Sequence, residues 1–168
     1  MENYTESEWE VVSSTPQLVG VAMAGAGSSG LFGSTKEMFA SARSLMAARK
    51  DHTDNPLVQA ILPDTSDPKK AMADAKVQRD LVMERMKANN IKSAEDLQNL
   101  ILGDCEKAVS FLNEKESPET VQGYKEMVLK IAETVANAAK EGDFLGFGGE
   151  RFSEKEKQLF SKLKMSLS

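Results

Sequence analysis

Residues 93–138, SAEDLQNLILGDCEKAVSFLNEKESPETVQGYKEMVLKIAETVANA, decide the fold class of this chain. Over 97–112, apolar residues recur every three or four positions, which is the period of one face of an α-helix. The same period continues over 121–138. Between the two runs stands Ser117-Pro118, a pair typical of a helix start because proline is favoured in the first turn. The stretch therefore predicts two long helices joined by a short turn.

Capping signals and helix lengths extend this pattern to a bundle. Ser93 and Asp96 form a capping box ahead of the helix predicted over 94–115, and Asp67-Pro68 begins a third long helix that ends at an Asn-Asn pair. Helices of about 22 to 24 residues are roughly 33 to 36 Å long, and equal helices joined by short turns pack as antiparallel neighbours. No segment shows the alternation of a strand. We therefore expect an all-α fold, a single domain over 1–168 built as a bundle of six to eight helices.

The first fifty residues predict three further helices. A capping box at residues 5–8 starts a short helix that ends near Ser13. The Thr15-Pro16 pair then starts a second helix, which stops at the following glycines, so residues 1–15 are expected to be a loosely attached N-terminal segment. Another capping box, at 34–37, starts an amphipathic helix that reaches about Lys50.

The remaining helices and two packing details complete the expected bundle. A short helix over 57–62 lies between two prolines, and the last helix runs from a capping box at 153–156 to about Leu167. Gly103 lies inside a helix, where it costs about 1 kcal/mol relative to alanine, and it predicts close approach of a neighbouring backbone. On the 68–89 helix one face is expected in the core, with methionine as filler: Met72, Ala75, Val82 and Met86.

Eight of the eleven glycines lie in two loops, GAGSSGLFG at 25–33 and GDFLGFGG at 142–149. The first loop contains GxGxxG, but a dinucleotide site requires a parallel sheet around that motif, and the pattern offers no strands. Each loop is followed by a Ser-x-x-Glu helix start. This echo predicts a pseudo-repeat of helical hairpins at the two ends of the chain. The loop aromatics, Phe32, Phe144 and Phe147, are expected either to close the end of the bundle or to contact a partner groove.

The segment GDFLGFGGERFSEKE, residues 142–156, resembles the C-terminal segment of uncharacterised bacterial all-helical proteins. The paired hairpins are also distantly similar to the TerB-like helical bundles of tellurite resistance. That resemblance implies hard oxygen ligands for a divalent cation, with Glu37 and Glu156 at the family's downstream acidic positions and Asp143 near its second turn. At the first turn, glycine and serine stand where the family has aspartate.

The residues themselves also allow a cation site near the second loop. Four carboxylates lie close together in sequence and suit Ca²⁺ or Mg²⁺: Asp143, Glu150, Glu154 and Glu156. The alternative is helix-start electrostatics, since acidic side chains are favoured at the positive end of a helix dipole. Apart from Ca²⁺ or Mg²⁺ in this alternative, no cofactor is expected.

Composition limits the other function classes. The formal charge of −5 and the pI near 5.1 argue against a nucleic-acid partner, because phosphate contacts need clustered Lys and Arg. Contact with a membrane surface is not expected. The N-terminus does not resemble a secretory signal, and one cysteine forms no internal disulfide, so a cytoplasmic protein is expected. His52 is expected at the surface and Cys105, beside Asp104, as a structural buried thiol.

These observations favour a non-catalytic helical interaction or scaffold protein over an enzyme. Its partner would be an unidentified protein or a second copy of the chain. The alternative is a protein that binds a divalent metal or a small ligand through the acidic residues near the second glycine loop.

Overall fold

The computed structural model describes residues 3–26, 45–64, 66–138 and 153–168. These residues form seven helices and no strand, which confirms the all-α bundle. The helices are α1 (Glu6–Ala26), α2 (45–51), α3 (Pro56–Ile61), α4 (Pro68–Ala88), α5 (Ala94–Lys115), α6 (Pro118–Ala138) and α7 (Glu154–Ser166). The capping boxes predicted before α1, α5 and α7 are all present, and Asp67 caps α4 through the Lys69 and Lys70 backbone N–H groups.

Helix α1 lies at the centre of the bundle, where it packs against α4, α5, α6 and α7. Its sequence contains no charged residue over 11–26, and 14 of its 21 residues are buried. A helix that carries no charge over most of its length and is mostly buried must be surrounded by other elements. The long stripes predicted on α5 and α6 complete the core around it, from Leu97 to Leu112 and from Val121 to Ala136.

The predicted break at Thr15-Pro16 is wrong, because α1 is one continuous helix with Pro16 in its interior. The N-terminal segment also differs from the loose attachment expected for residues 1–15. Val12 is fully buried, and Tyr4 and Trp9 pack against the core. The Tyr4 hydroxyl donates a hydrogen bond of 2.6 Å to Glu116 Oε1 at the end of α5. The chain is therefore attached to the bundle from its fourth residue onward.

Helix α1 continues through Pro16 because side chains supply hydrogen-bond donors around it. Proline has no N–H, so the Val12 carbonyl four residues earlier lacks its usual helical donor. The Tyr124 hydroxyl of α6 donates to that oxygen at 2.9 Å. In the same turn, the hydroxyls of Ser14 and Thr15 donate to the Glu10 and Val11 carbonyls at 2.6 and 2.7 Å. The 21 residues of α1 thus form one helix through Pro16, since the buried acceptor beside the proline is satisfied.

Two packing predictions are corrected by the structure. A Cβ added to Gly103 would have no atom within 4 Å, so no backbone approaches it closely. On α4, Val82 and Met86 are buried as predicted, but Met72 is 76% exposed and Ala75 is exposed. The reason is that only the second half of α4 lies against α1, whereas its first half extends along the surface.

Some predictions fall on residues that the structure does not describe. Both glycine loops lie almost entirely in 27–44 and 139–152, so the pseudo-repeat of hairpins stays a prediction. The helix expected after residue 34 is observed over 45–51, its described part. Among the described residues, no helix is both long and apolar enough to cross a membrane.

The contact between Tyr124 and Val12 makes a prediction about Pro16. Tyr124→Phe should lower the free energy of unfolding by about 1–3 kcal/mol, because it leaves a buried carbonyl without its donor. Pro16→Ala restores a backbone N–H that can reach the same carbonyl. In a Pro16→Ala background, the loss caused by Tyr124→Phe should therefore fall below about 1 kcal/mol.

Urea denaturation of the four proteins in this cycle measures the coupling. Tyr4→Phe is the matched control, since its hydroxyl contacts Glu116 and not the proline turn. Its effect should be the same with and without Pro16→Ala. Strictly additive effects of Tyr124→Phe and Pro16→Ala would show that the hydroxyl does not replace the missing N–H.

Candidate functional site

The residues predicted to form sites are only partly described. Phe32, Asp143, Phe144, Phe147 and Glu150 lie outside the described residues. Glu154 is exposed at the start of α7 and forms an ion pair of 2.8 Å with Lys157. Glu156 is 2% exposed, and its Oε2 accepts the Ser153 backbone N–H at 2.7 Å within the capping box. Both described acids therefore occupy the helix-start positions of the alternative interpretation.

The described part of the chain contains no group of three or more His, Cys, Asp or Glu side chains arranged to hold a metal ion. Cation binding by the full set of Asp143, Glu150, Glu154 and Glu156 stays a prediction. Glu156 has one feature that helix capping does not explain: its buried Oε1 has no hydrogen-bond partner.

The most exposed apolar side chains of the described residues include two methionines on α4. Met72 is 76% and Met83 is 48% exposed. They lie eleven residues apart, or about three helical turns, so they share one side of the helix. Lys76 and Arg79 lie between them at helical spacing and are also exposed. We call these four residues, Met72, Lys76, Arg79 and Met83, the α4 stripe.

The α4 stripe is cationic as well as apolar. Lys69 and Lys87 are exposed on the same side, one turn before and one turn after it. Arg79 also contacts Asp80 at 2.9 Å, but both side chains are more than half exposed, so this ion pair is weak. The stripe thus combines flexible apolar side chains with positive charge on a chain whose net charge is −5.

A buried ion pair joins α4 to the rest of the bundle. Arg85 Nη2 lies 2.6 Å from Asp104 Oδ2 of α5, and these side chains are 8% and 1% exposed. Glu10 of α1 lies 3.7 Å from Arg85 Nη1. Two polar atoms of the pair, Arg85 Nε and Asp104 Oδ1, have no hydrogen-bond partner in the described part of the chain. Burial raises the pKa of Asp104 more than the adjacent Arg85 lowers it.

A polar cleft of about 530 Å³ lies between the turn after α2 and the first turns of α6. Four carboxylates line it, and no ion pair is formed by any of them with the described residues: Asp51, Asp54, Glu119 and Glu126. Hydrogen bonds from its own backbone N–H and from Ser117 hold the pKa of Glu119 below its usual value. His52 lies in the wall of this cleft, and the cleft contains no nucleophile paired with it.

Asn55 fixes the two walls of the cleft against each other. Its Oδ1 accepts the Val58 N–H at 3.1 Å and so caps α3, while its Nδ2 donates to the Thr120 carbonyl of α6 at 3.0 Å. Gly123 makes this approach possible, because a Cβ at that position would overlap the Asn55 amide. Close packing therefore requires glycine at Gly123 and not at Gly103.

Neither Cys105 nor Tyr124 is placed for chemistry. Cys105 is fully buried, and burial raises its pKa to about 12, with Asp104 adding to the effect. The prediction of a buried thiol at Cys105 is confirmed. Burial likewise raises the pKa of Tyr124 well above its usual value, and its hydroxyl is occupied by the Val12 carbonyl.

The sequence contained signals for some of these features. The spacing of Met72, Lys76, Arg79 and Met83 is visible in the sequence, but the sequence favours methionine as core filler. The sequence offers no signal that pairs Arg85 with Asp104. Their pairing depends on how α4 crosses α1 and α5, which local sequence does not specify.

Comparison with known proteins adds no relative. No protein-family model, no curated protein and no solved structure matches this chain. The likeness to TerB-like bundles and to bacterial proteins with a similar C-terminal segment stays a prediction.

The glycines of α5 and α6, Gly103 and Gly123, predict opposite effects of alanine. Gly103→Ala should stabilise the protein by about 0.5–1 kcal/mol, because its site is open and alanine favours the helix. Gly123→Ala should destabilise it by about 1–3 kcal/mol, because Asn55 cannot move without losing two hydrogen bonds. Urea denaturation measures both changes. If Asn55→Ala does not relieve most of the extra cost of Gly123→Ala, the Asn55 contact is not its cause.

The buried pair predicts strong coupling between its partners. Arg85→Met and Asp104→Leu should each destabilise the protein by about 3–5 kcal/mol, since the first leaves Asp104 unpaired and the second leaves the buried Arg85 with only the half-exposed Glu10. The double variant should be within about 1 kcal/mol of the wild type or more stable. Chemical denaturation of all four proteins gives the coupling energy. If the double variant loses as much free energy of unfolding as the two single variants together, Arg85 and Asp104 do not form a closed, buried pair.

Proposed function

We propose that this protein is a non-catalytic interaction protein that binds the acidic surface of a protein partner through the α4 stripe. The observation that carries the proposal is the exposure of Met72 and Met83 on one side of a helix, with Lys76 and Arg79 between them. Large apolar side chains that are exposed at helical spacing are typical of helices that dock into a partner groove. Methionine suits such a surface because its side chain adapts to the shape of the groove.

The charge of the stripe supports an acidic partner. Lys76 and Arg79 are flanked by Lys69 and Lys87, so the exposed side of α4 carries four cations, with Asp80 as an acidic neighbour of Arg79. Complementary charge steers association and excludes partners of like charge. Arg79 adds geometric specificity, since its planar guanidinium can bind a carboxylate through two parallel hydrogen bonds. The chemistry expected of the partner is carboxylates around two apolar pockets about 16 Å apart.

The chemistry of the remaining side chains supports a non-catalytic role. The thiol of Cys105 and the hydroxyl of Tyr124 are buried, and His52 lies in a polar cleft without a paired nucleophile. Localisation in the cytoplasm is part of the same proposal, and the single cysteine of the sequence, a buried free thiol, supports it.

A charge-reversal experiment tests the stripe. Lys76→Glu/Arg79→Glu should abolish capture of the partner from a lysate of the source cells, because it repels a carboxylate surface. Lys155→Glu/Lys162→Glu on α7 is the matched control, with the same change in net charge on exposed residues. The purified partner should then bind the wild type and the control alike. Calorimetry should give at least about tenfold weaker binding to the stripe variant.

Two results would contradict the proposal. One is equal binding by the wild type and the stripe variant, which would place the interface elsewhere. The other is equal loss in the stripe and control variants, which would indicate a response to net charge alone. Sedimentation of the purified chain identifies the case in which the partner is a second copy, since self-association should then disappear in the stripe variant only.

A further inference from the structure

Most of α4 lies on the surface of the bundle. Of its described side chains, three are buried: Val82, Arg85 and Met86. All three belong to the second half of the helix, and residues 69–77 have no buried side chain. Few buried apolar contacts are the mark of an element with low local stability.

The contact between α4 and α1 includes polar and charged groups beside the apolar Val82 and Met86. Arg85 faces Glu10 of α1 and Asp104 of α5. Next to this pair, the amide of Gln17 on α1 approaches the amide of Gln78 on α4 at 3.2 Å. Burial of these charges opposes docking, because both lose hydration and two of their polar atoms gain no partner.

The backbone allows α4 to move as a rigid body. At its C-terminal end, Asn90 adopts a left-handed conformation with φ of 52°, and the Ile91 N–H returns to the Met86 carbonyl. At its N-terminal end, Ser66 and Asp67 are exposed in the turn that leads to the cap. Turns at both ends of an element can absorb the rotation that releases it.

We propose that α4 detaches from the bundle as one unit and docks again, while α1, α5, α6 and α7 stay assembled. Opening exposes two apolar side chains, Val82 and Met86, and returns Arg85 and Asp104 to water. By contrast, α5 and α6 cannot leave without exposing the apolar stripes that form the core. Detachment also enlarges the apolar surface of α4, since Met86 lies beside Met83 of the stripe.

The detachment of α4 does not depend on the partner proposed above, because it concerns only the docking of α4 on its own chain. Two outcomes can therefore be separated. The stripe can bind a partner while α4 stays docked, and α4 can detach although no partner binds the stripe.

Thiol labelling tests the detachment. The wild type carries one thiol, Cys105, which is fully buried in α5 and reports opening of the core. Val82→Cys/Cys105→Ala moves the single thiol to the buried side of α4. After correction for the labelling rate of each unfolded chain, the thiol at position 82 should react at least about 100-fold faster than Cys105. Its rate should also depend more weakly on urea, since less surface is exposed.

A second change tests the role of the buried pair. Arg85→Met/Asp104→Leu in the Val82→Cys/Cys105→Ala background should slow labelling by about tenfold or more, because docking no longer buries charge. Leu163→Cys/Cys105→Ala on α7 is a further reporter of the core, since Leu163 is fully buried. It should react as slowly as Cys105.

Hydrogen exchange of the wild type provides the same comparison without any substitution. Amides in the middle of α4 should exchange at least about 100-fold faster than those of α5 and α6, because a 21-residue helix that has left the bundle is only marginally stable and opens its own hydrogen bonds. Equal rates and equal urea dependence in α4 and α5, by either method, would overturn the proposal, because α4 would then open only when the whole protein unfolds.

Discussion

The hydrogen bond from the Tyr124 hydroxyl to the Val12 carbonyl is the contact on which the rest of the structure depends. Proline inside a helix costs about 3 kcal/mol or more, partly because one carbonyl loses its donor. In water that carbonyl would be hydrated, but Val12 is fully buried. A donor from α6 removes the penalty of an unsatisfied acceptor and fixes the position of α6 against the middle of α1. This one hydrogen bond thus positions Tyr124, and with it α6, against the middle of α1.

The side chains on each side of α1 determine which of the other helices pack there. Its apolar sides bury the stripes of α5, α6 and α7. Glu10, Ser13 and Gln17 recur at three and four residues, so they form one polar side of the same helix. This side faces α4, which meets it with Gln78 and Arg85. The polar attachment of α4 is therefore a consequence of the polar side of α1, and so is the exposure of its first half.

Local sequence predicted the features that depend on a few neighbouring residues. The capping boxes at Ser93 and Ser153 and the proline at 118 placed three helix starts correctly, because a cap is a contact over three positions. The prediction of a helix start at Pro16 is wrong because the contact that compensates for this proline is not local. Its compensating donor, Tyr124, belongs to another helix far along the chain, and nothing within one turn of the proline reveals it.

The candidate site was less predictable for a related reason. A methionine at helical spacing is usually a core residue, and only the crossing of α4 over α1 decides that Met86 is buried and Met72 exposed. The glycines show the same limit. Gly103 and Gly123 both lie inside a helix, and they differ in the atoms that pack against them. Met72 differs from Met86, and Gly103 from Gly123, in contacts with other parts of the fold. Composition and helical period do not reveal these contacts.

The exposed stripe of α4 and the proposed detachment of this helix together limit how a partner can act on it. A ligand shifts a conformational equilibrium only by the difference in its affinity for the two states. A partner that contacts the stripe alone meets the same side chains whether α4 is docked or detached, so it leaves the equilibrium unchanged. A partner that also contacts Val82 or Met86 must compete with α1 and recruits the detached state. The hydrated ion pair assists that second kind of partner, since detachment returns Arg85 and Asp104 to water and so offsets part of the cost of exposing the apolar face.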